Sequence, residues 1–283
     1  MLKKVLKYDL KSIYKYWWIG AIACFALSLL GSFGISFLNS GKEIPVPIEI
    51  FSYISIFLTI VGYVAFIFLA QVLVFVRYYK NFFSDEGYLT FTLPVKRITQ
   101  LNSKLIMGTT TYISTFLTCL LCGGMMFLIG FRNEIFTKET YEAIIEGWNE
   151  FKELVLLDIT ALDIVLLIII LLSLIIISIL AVTLSNQFMF LCISVGATIS
   201  KKAKIVSAIG IYFFAGSWAS FLLSMFSIFV SAAMTNWILD LPDNLFDIIF
   251  TLIPVIIMFF ISIINVALYA IQYRLLDNKL NLS

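Results

Sequence analysis

Residues 162–200 hold a single charged side chain, Asp163, in a run dominated by Leu, Ile and Val. A continuous helix of that length, rising about 1.5 Å per residue, reaches nearly 60 Å, whereas the hydrocarbon core of a bilayer is about 30 Å thick. The segment therefore reads as a membrane-spanning helix that overshoots the bilayer, with Ser185, Asn186 and Gln187 as the place for a bend, a change of depth or contact with another helix. It is one of several, because apolar runs longer than about 18 residues recur along the chain. Of the 283 residues, 61% are hydrophobic and 13% charged, too little polar surface to cover a water-soluble globule. The expected fold is all-α: a polytopic membrane protein forming one transmembrane domain over residues 1–283.

Six spans are expected, at about residues 17–38, 51–76, 105–131, 162–200, 205–234 and 248–271, with both termini on the cytoplasmic side. In that arrangement the cytoplasmic segments hold fifteen of the nineteen Lys and Arg residues and four of the seventeen acids, a net of +11. The external segments hold the other four basic and thirteen acidic residues, a net of −9. The basic residues thus obey the positive-inside rule, which sets orientation; the external acids support the pattern without contributing much to insertion. The expected location is a bacterial cytoplasmic membrane. The first apolar run has no small-residue cleavage site behind a short core, so no cleavable signal is expected.

The segments between spans carry their own patterns. Over residues 1–16, Lys3, Lys7, Lys11 and Lys15 recur every fourth residue. Leu2, Leu6, Leu10, Ile13 and Trp17 fill another stripe, so the spacing predicts a basic amphipathic elbow helix lying on the membrane surface, its lysines toward anionic headgroups. Whether it also touches a cytoplasmic partner is left open. In the third span Thr109, Thr110, Thr111, Ser114, Thr115 and Thr118 either line a polar path or bond their own preceding turns, and the local explanation is favoured. The second span contains Tyr63 and Gln71, and Gln71 is read as a hydrogen-bond former in helix packing in preference to a transport residue. Residues 132–160 form the largest external segment. There Glu139, Glu142, Glu146, Glu150 and Glu153 make an acidic stripe, and Tyr141, Ile145, Trp148, Phe151 and Val155 an apolar one, predicting an amphipathic helix packed on the outer ends of the bundle. The acids either attract a cationic peptide or form a solvated face.

Several chemistries are excluded. The chain has no histidine, which removes imidazole bases, His metal ligands and His-based triads. Cys24, Cys119, Cys122 and Cys192 all lie in apolar surroundings and read as small buried hydrophobes. There is no G-x-x-x-x-G-K-[ST] phosphate loop, and almost no ionisable residue within the spans, which argues against ordinary proton or sodium coupling. No catalytic residue, bound cofactor or metal is expected on this chain, and no nucleic-acid contact. If the protein moves a solute, the energy comes from another subunit.

The one elaborate polar interval of the first half is residues 77–104, RYYKNFFSDEGYLTFTLPVKRITQLNSK. Five basic residues surround one acidic pair, Asp85 and Glu86, followed by Gly87, Tyr88, Leu89 and Phe91. Pro94 cannot continue a hydrogen-bonded helix, so a new helix is expected near Val95 or Lys96. Phe82, Phe83, Tyr88, Leu89 and Phe91 are candidate packing anchors for a soluble partner, with Asp85 and Glu86 meeting its basic residues; the alternative is that the aromatics seat the loop at the headgroup layer.

The run YYKNFFSDEGYLTFTLPVKR, followed by ITQLNSKLI, resembles the connection between the second and third spans of uncharacterised permeases of the ABC-2 type, particularly from Firmicutes. The similarity extends to the basic elbow, the six spans, the large external segment and the Leu-Asn-Leu ending, but its specific part is residues 78–97. Such permeases often carry a Gly-Gln pair near the cytoplasmic end of the fourth span, where this chain has Gly196, Ala197 and Thr198, so no role is carried over to that position.

The resemblance implies a non-enzymatic permease subunit that binds soluble ATPase subunits, which hold ATP and Mg, and pairs with a second permease copy or a homologous permease. It also implies that residues 77–104 couple the two, with Phe82, Phe83, Asp85, Glu86, Gly87, Tyr88, Leu89, Phe91, Pro94 and Arg97 as the coupling residues. The implied function is export of an amphipathic or peptide-like substrate. Two other classes stay open: a non-transporting membrane anchor or sensor partner of an ATPase, and an ATP-independent secondary transporter.

Overall fold

The computed structural model describes residues 2–40, 44–84, 86–87, 95–158, 161–199, 203–238 and 243–278. The helices among them are α1 (Leu2–Leu38), α2 (Val46–Phe83), α3 (Arg97–Gly130), α4 (Arg132–Ile135), α5 (Lys138–Asp158), α6 (Ala161–Ile199), α7 (Lys204–Ile238) and α8 (Asp243–Asn278). Six of them, α1, α2, α3, α6, α7 and α8, include stretches long and apolar enough to cross a bilayer. The protein is a multi-spanning, all-helical membrane protein, and most of its large apolar side chains point outward, as a lipid solvent permits.

Two boundaries differ from expectation, and one question the sequence left open is answered. No separate elbow helix exists, because α1 runs unbroken from Leu2 to Leu38. The reason lies in its buried stripe: Asp9, Ile13, Trp17, Ala21, Cys24 and Ser28 follow at steps of four and three, so one packing surface continues through the expected elbow, and no Gly or Pro precedes Gly20. Lys3, Lys7, Lys11 and Lys15 are exposed along this helix. Next, α2 continues past residue 76 to Phe83, while α3 starts at Arg97, one residue beyond Lys96. Its first turn opens on the Lys96 carbonyl, which accepts from the amides of Thr99 and Gln100. Finally, α6 passes through Ser185, Asn186 and Gln187 without a break.

The described packing falls into two compact units, one of Met1–Val5, Tyr78–Thr109 and Thr160–Ser283, the other of Leu6–Arg77 and Thr110–Ile159. In the second unit α1 is gripped by polar contacts. The Trp17 indole donates to Thr115 Oγ1 at 2.8 Å, Tyr14 donates to Ser114 Oγ at 3.0 Å, and Thr59 donates to the Leu27 carbonyl at 2.7 Å. The hydroxyls of Ser28 and Tyr63 meet at 2.8 Å, which ties α1 to α2. Thr109, Thr115 and Thr118 each bond the carbonyl four residues back, so the local reading of the hydroxyl run holds, with Ser114 and Thr115 also accepting from α1.

Candidate functional site

The unit that contains α6 carries a connected set of buried polar and aromatic contacts. At its heart Tyr78, fully buried on the last turns of α2, stacks on Phe190 of α6 with ring centroids 4.0 Å apart and planes 8° from parallel. Its hydroxyl shares a 3.0 Å hydrogen bond with Ser194. Phe82 and Phe83 close over the same ring at 5.0 and 6.1 Å. The Lys204 ammonium, at the start of α7, reaches the Phe83 carbonyl at 3.5 Å, so a cation sits where the α2 backbone ends and carbonyls lack helical partners.

A second set of contacts runs along α8. Asn265, Tyr269, Gln272 and Leu276 follow at steps of four, three and four and therefore share one face. Asn265 accepts from Thr183 at 3.2 Å and donates to the Leu180 carbonyl at 3.3 Å, while Gln272 donates to the Gln187 carbonyl at 2.6 Å; both tie α8 to α6. Tyr269 donates to Asn102 of α3 at 2.6 Å. At the end of the stripe Arg97 bonds the Leu276 and Asp277 carbonyls at 3.1 and 2.9 Å and pairs with the Asp277 carboxylate at 3.0 Å. Each interhelical hydrogen bond in a membrane contributes only about 0.6 kcal/mol on average, so this set fixes register more than it supplies stability.

Where backbones approach most closely, glycine is required. A Cβ on Gly196 would stand 2.6 Å from the backbone of Ala208, and the Gly196 carbonyl accepts from Ser207 at 2.8 Å, so α6 and α7 touch backbone to backbone there. This is the position to which the sequence assigned no role. A Cβ on Gly108 of α3 would stand 2.9 Å from the Asn186 amide, which is 1% exposed and has neither of its polar atoms hydrogen-bonded. Asn186 and Gln187 thus serve contact with other helices, one of the three roles the sequence left open.

Among the expected coupling residues, Phe82 and Phe83 are 1% and 8% exposed. Both rings are buried within the chain, packed on Tyr78, with Tyr79 also beside Phe83. Gly87 is buried, its amide bonded to the Ser84 carbonyl at 2.7 Å, and Glu86 is exposed. Arg97 is half-buried and engaged with the end of α8. Asp85, Tyr88, Leu89, Phe91 and Pro94 lie outside the described residues.

Sequence reasoning passed over the α8 stripe, although its polar residues at helical spacing inside an apolar span were the available signal. It also passed over Asp9, which is 2% exposed and pairs with Arg77 Nε at 3.2 Å in the other unit, and over Lys104, which is buried and engaged on α3. No protein-family model, curated protein or solved structure matches the chain.

Proposed function

We propose that this membrane protein is the permease subunit of an ATP-driven transporter, exporting an amphipathic or peptide-like substrate with ATP and Mg held on separate soluble subunits. The observation that carries the reading is the lock at the foot of α2. Residues 78–83 and 97–109, which flank the connection between the second and third spans, belong to the same compact unit as α6, α7 and α8. A load applied to that connection reaches α6 through the Tyr78–Phe190 stack, α7 through Lys204, and α8 through Arg97. Three spans would thus respond to one docking event, which is what coupling requires. The resemblance of residues 78–97 to ABC-2 permeases supports the same reading and supplies the partner. Phe82 and Phe83 act in it as positioning residues, while contact falls on Glu86 with Asp85, Tyr88, Leu89 and Phe91.

The test separates docking from transmission. Charge reversal by Asp85→Lys with Glu86→Lys is expected to lower capture of the cognate ATPase at least tenfold, about 1.4 kcal/mol, without loss of membrane insertion. Tyr78→Ala is expected to keep capture but lose substrate-stimulated ATP turnover in reconstituted membranes, whereas Tyr78→Phe, which keeps the stack, retains both. Unchanged capture and turnover in the charge-reversal variant would remove the connection from coupling and the reading with it.

A further inference from the structure

The apolar stripe of α5 is uncovered. Tyr141, Ile144, Ile145, Trp148 and Phe151 are 65%, 60%, 42%, 56% and 54% exposed, which corrects the expectation that this helix packs against the ends of the bundle. At about 100° per residue these five side chains occupy an arc of roughly 120°, and Glu139, Glu142, Glu146, Glu150 and Glu153 occupy an arc of roughly 80° on the opposite side. A shallow depression runs from the acidic arc to the edge of the apolar one, lined by Glu142, Glu146, Glu150 and Glu153 together with Asn149 and Ile145. An aromatic stripe of this kind is stable in water only when something apolar lies against it.

We infer that α5 lies flat on the bilayer surface, its aromatic stripe sunk to the headgroup and acyl boundary on the side opposite the chain termini. Three observations select lipid as the occupant. The first is connectivity: three spans precede α5 and three follow it, so both its ends are held at one face of the membrane. Its stripe therefore continues the lipid-exposed surface of the spans to which it is tied. The second is the placement of cations. The two lysines of the helix lie on the same side of the apolar arc, Lys138 about 20° beyond its Ile145 edge and Lys152 about 20° inside that edge, from where a long side chain reaches out of the stripe toward lipid phosphates; the Lys152 ammonium rests over the Trp148 ring at 5.6 Å. The third is the chemistry of the stripe: Tyr141 and Trp148 each join an apolar ring to a polar edge, the composition that gathers at membrane interfaces. A second copy of the chain packed stripe to stripe would offer the same lysines and no carboxylate to pair with them.

The acidic arc does not oppose this seating. It points away from the lipid at a helix diameter of about 10 Å, beyond the Debye length of about 8 Å at physiological salt, so its repulsion from anionic headgroups is largely screened. The sixth acid of the helix, Asp158, is its last residue.

Nitroxide scanning tests the placement on the purified permease alone, in phosphatidylcholine vesicles, so the outcome is independent of any ATPase. With the four native cysteines replaced, single labels are placed at residues 144, 148 and 151 and, in separate samples, at 142, 146 and 150. Collision with oxygen, which concentrates in lipid, is compared with collision with a water-soluble nickel chelate. The inference expects an oxygen-to-nickel ratio at least threefold higher at 144, 148 and 151 than at 142, 146 and 150. Equal ratios on both arcs would place the stripe in water, and labels at 144, 148 and 151 shielded from both reagents would place it against protein; either result overturns the inference. Trp148→Glu with Phe151→Glu, on a helix without a packed core, is expected to raise nickel collision at residue 144 to the level of residue 142, and no change there would also count against it.

Discussion

Asp9 and Arg77 illustrate how one side chain in a membrane protein constrains its neighbours. Asp9 is 2% exposed and Arg77 is 23% exposed at its side chain, with 3.2 Å between them, so the carboxylate is dehydrated and the guanidinium keeps some contact with its surroundings. Removing one partner of a fully buried pair costs about 3–5 kcal/mol, chiefly by stranding the other charge. Because Arg77 retains exposure, Asp9→Leu is expected to cost about 2–3 kcal/mol, somewhat below that range. Replacing both, Asp9→Leu with Arg77→Leu, is expected to recover most of it. Thermal unfolding in mild detergent over the double-mutant cycle measures the coupling, and additive single effects would show that the pair contributes no interaction of its own.

At the level of elements, the close approach of α6 and α7 at Gly196 is the contact least able to adapt. The opposing atoms belong to the backbone of Ala208 rather than to a flexible side chain, so an added branched side chain cannot be accommodated by a rotamer change. Overpacking in a tight core costs about 1–3 kcal/mol, and a backbone clash lies at the upper end. Gly196→Val is therefore expected to lower the unfolding temperature markedly, whereas Gly123→Val, at a position with no atom within 4 Å, is expected to leave it nearly unchanged. Similar shifts for the two variants, read by differential scanning fluorimetry, would dispose of the contact as a stability determinant. The elbow belongs to this scale as well. Periodic lysines marked the exposed side of residues 1–16, but helix continuity was decided by the buried row from Asp9 to Ser28, four of whose six members lie beyond that segment.

For the whole molecule, orientation is the property to test first, since the proposed coupling requires the α2–α3 connection to face the cytoplasm. Single cysteines at Ser40 and Asn149 in a cysteine-free background are expected to react with an impermeant maleimide added to intact cells, and one at Ser84 only after permeabilisation. Labelling of Ser84 from outside would reverse the topology and end the coupling proposal.

The sequence by itself determined the class of the protein and the number of its crossings, because apolar run length against bilayer thickness is a one-dimensional quantity. It also located the helix restart after Pro94 to within two residues, since proline acts through local geometry. Burial was another matter. Phe82 and Phe83 look like exposed anchors in a polar stretch, and the stripe of α5 looks like a packing face, because periodicity shows which residues share a side of a helix and not what lies against that side. It took the tertiary packing, which brings Phe190 from more than a hundred residues away onto Tyr78 but leaves Trp148 56% exposed with ring contacts, among the described residues, only from its own helix, to make the first pair core and the second surface.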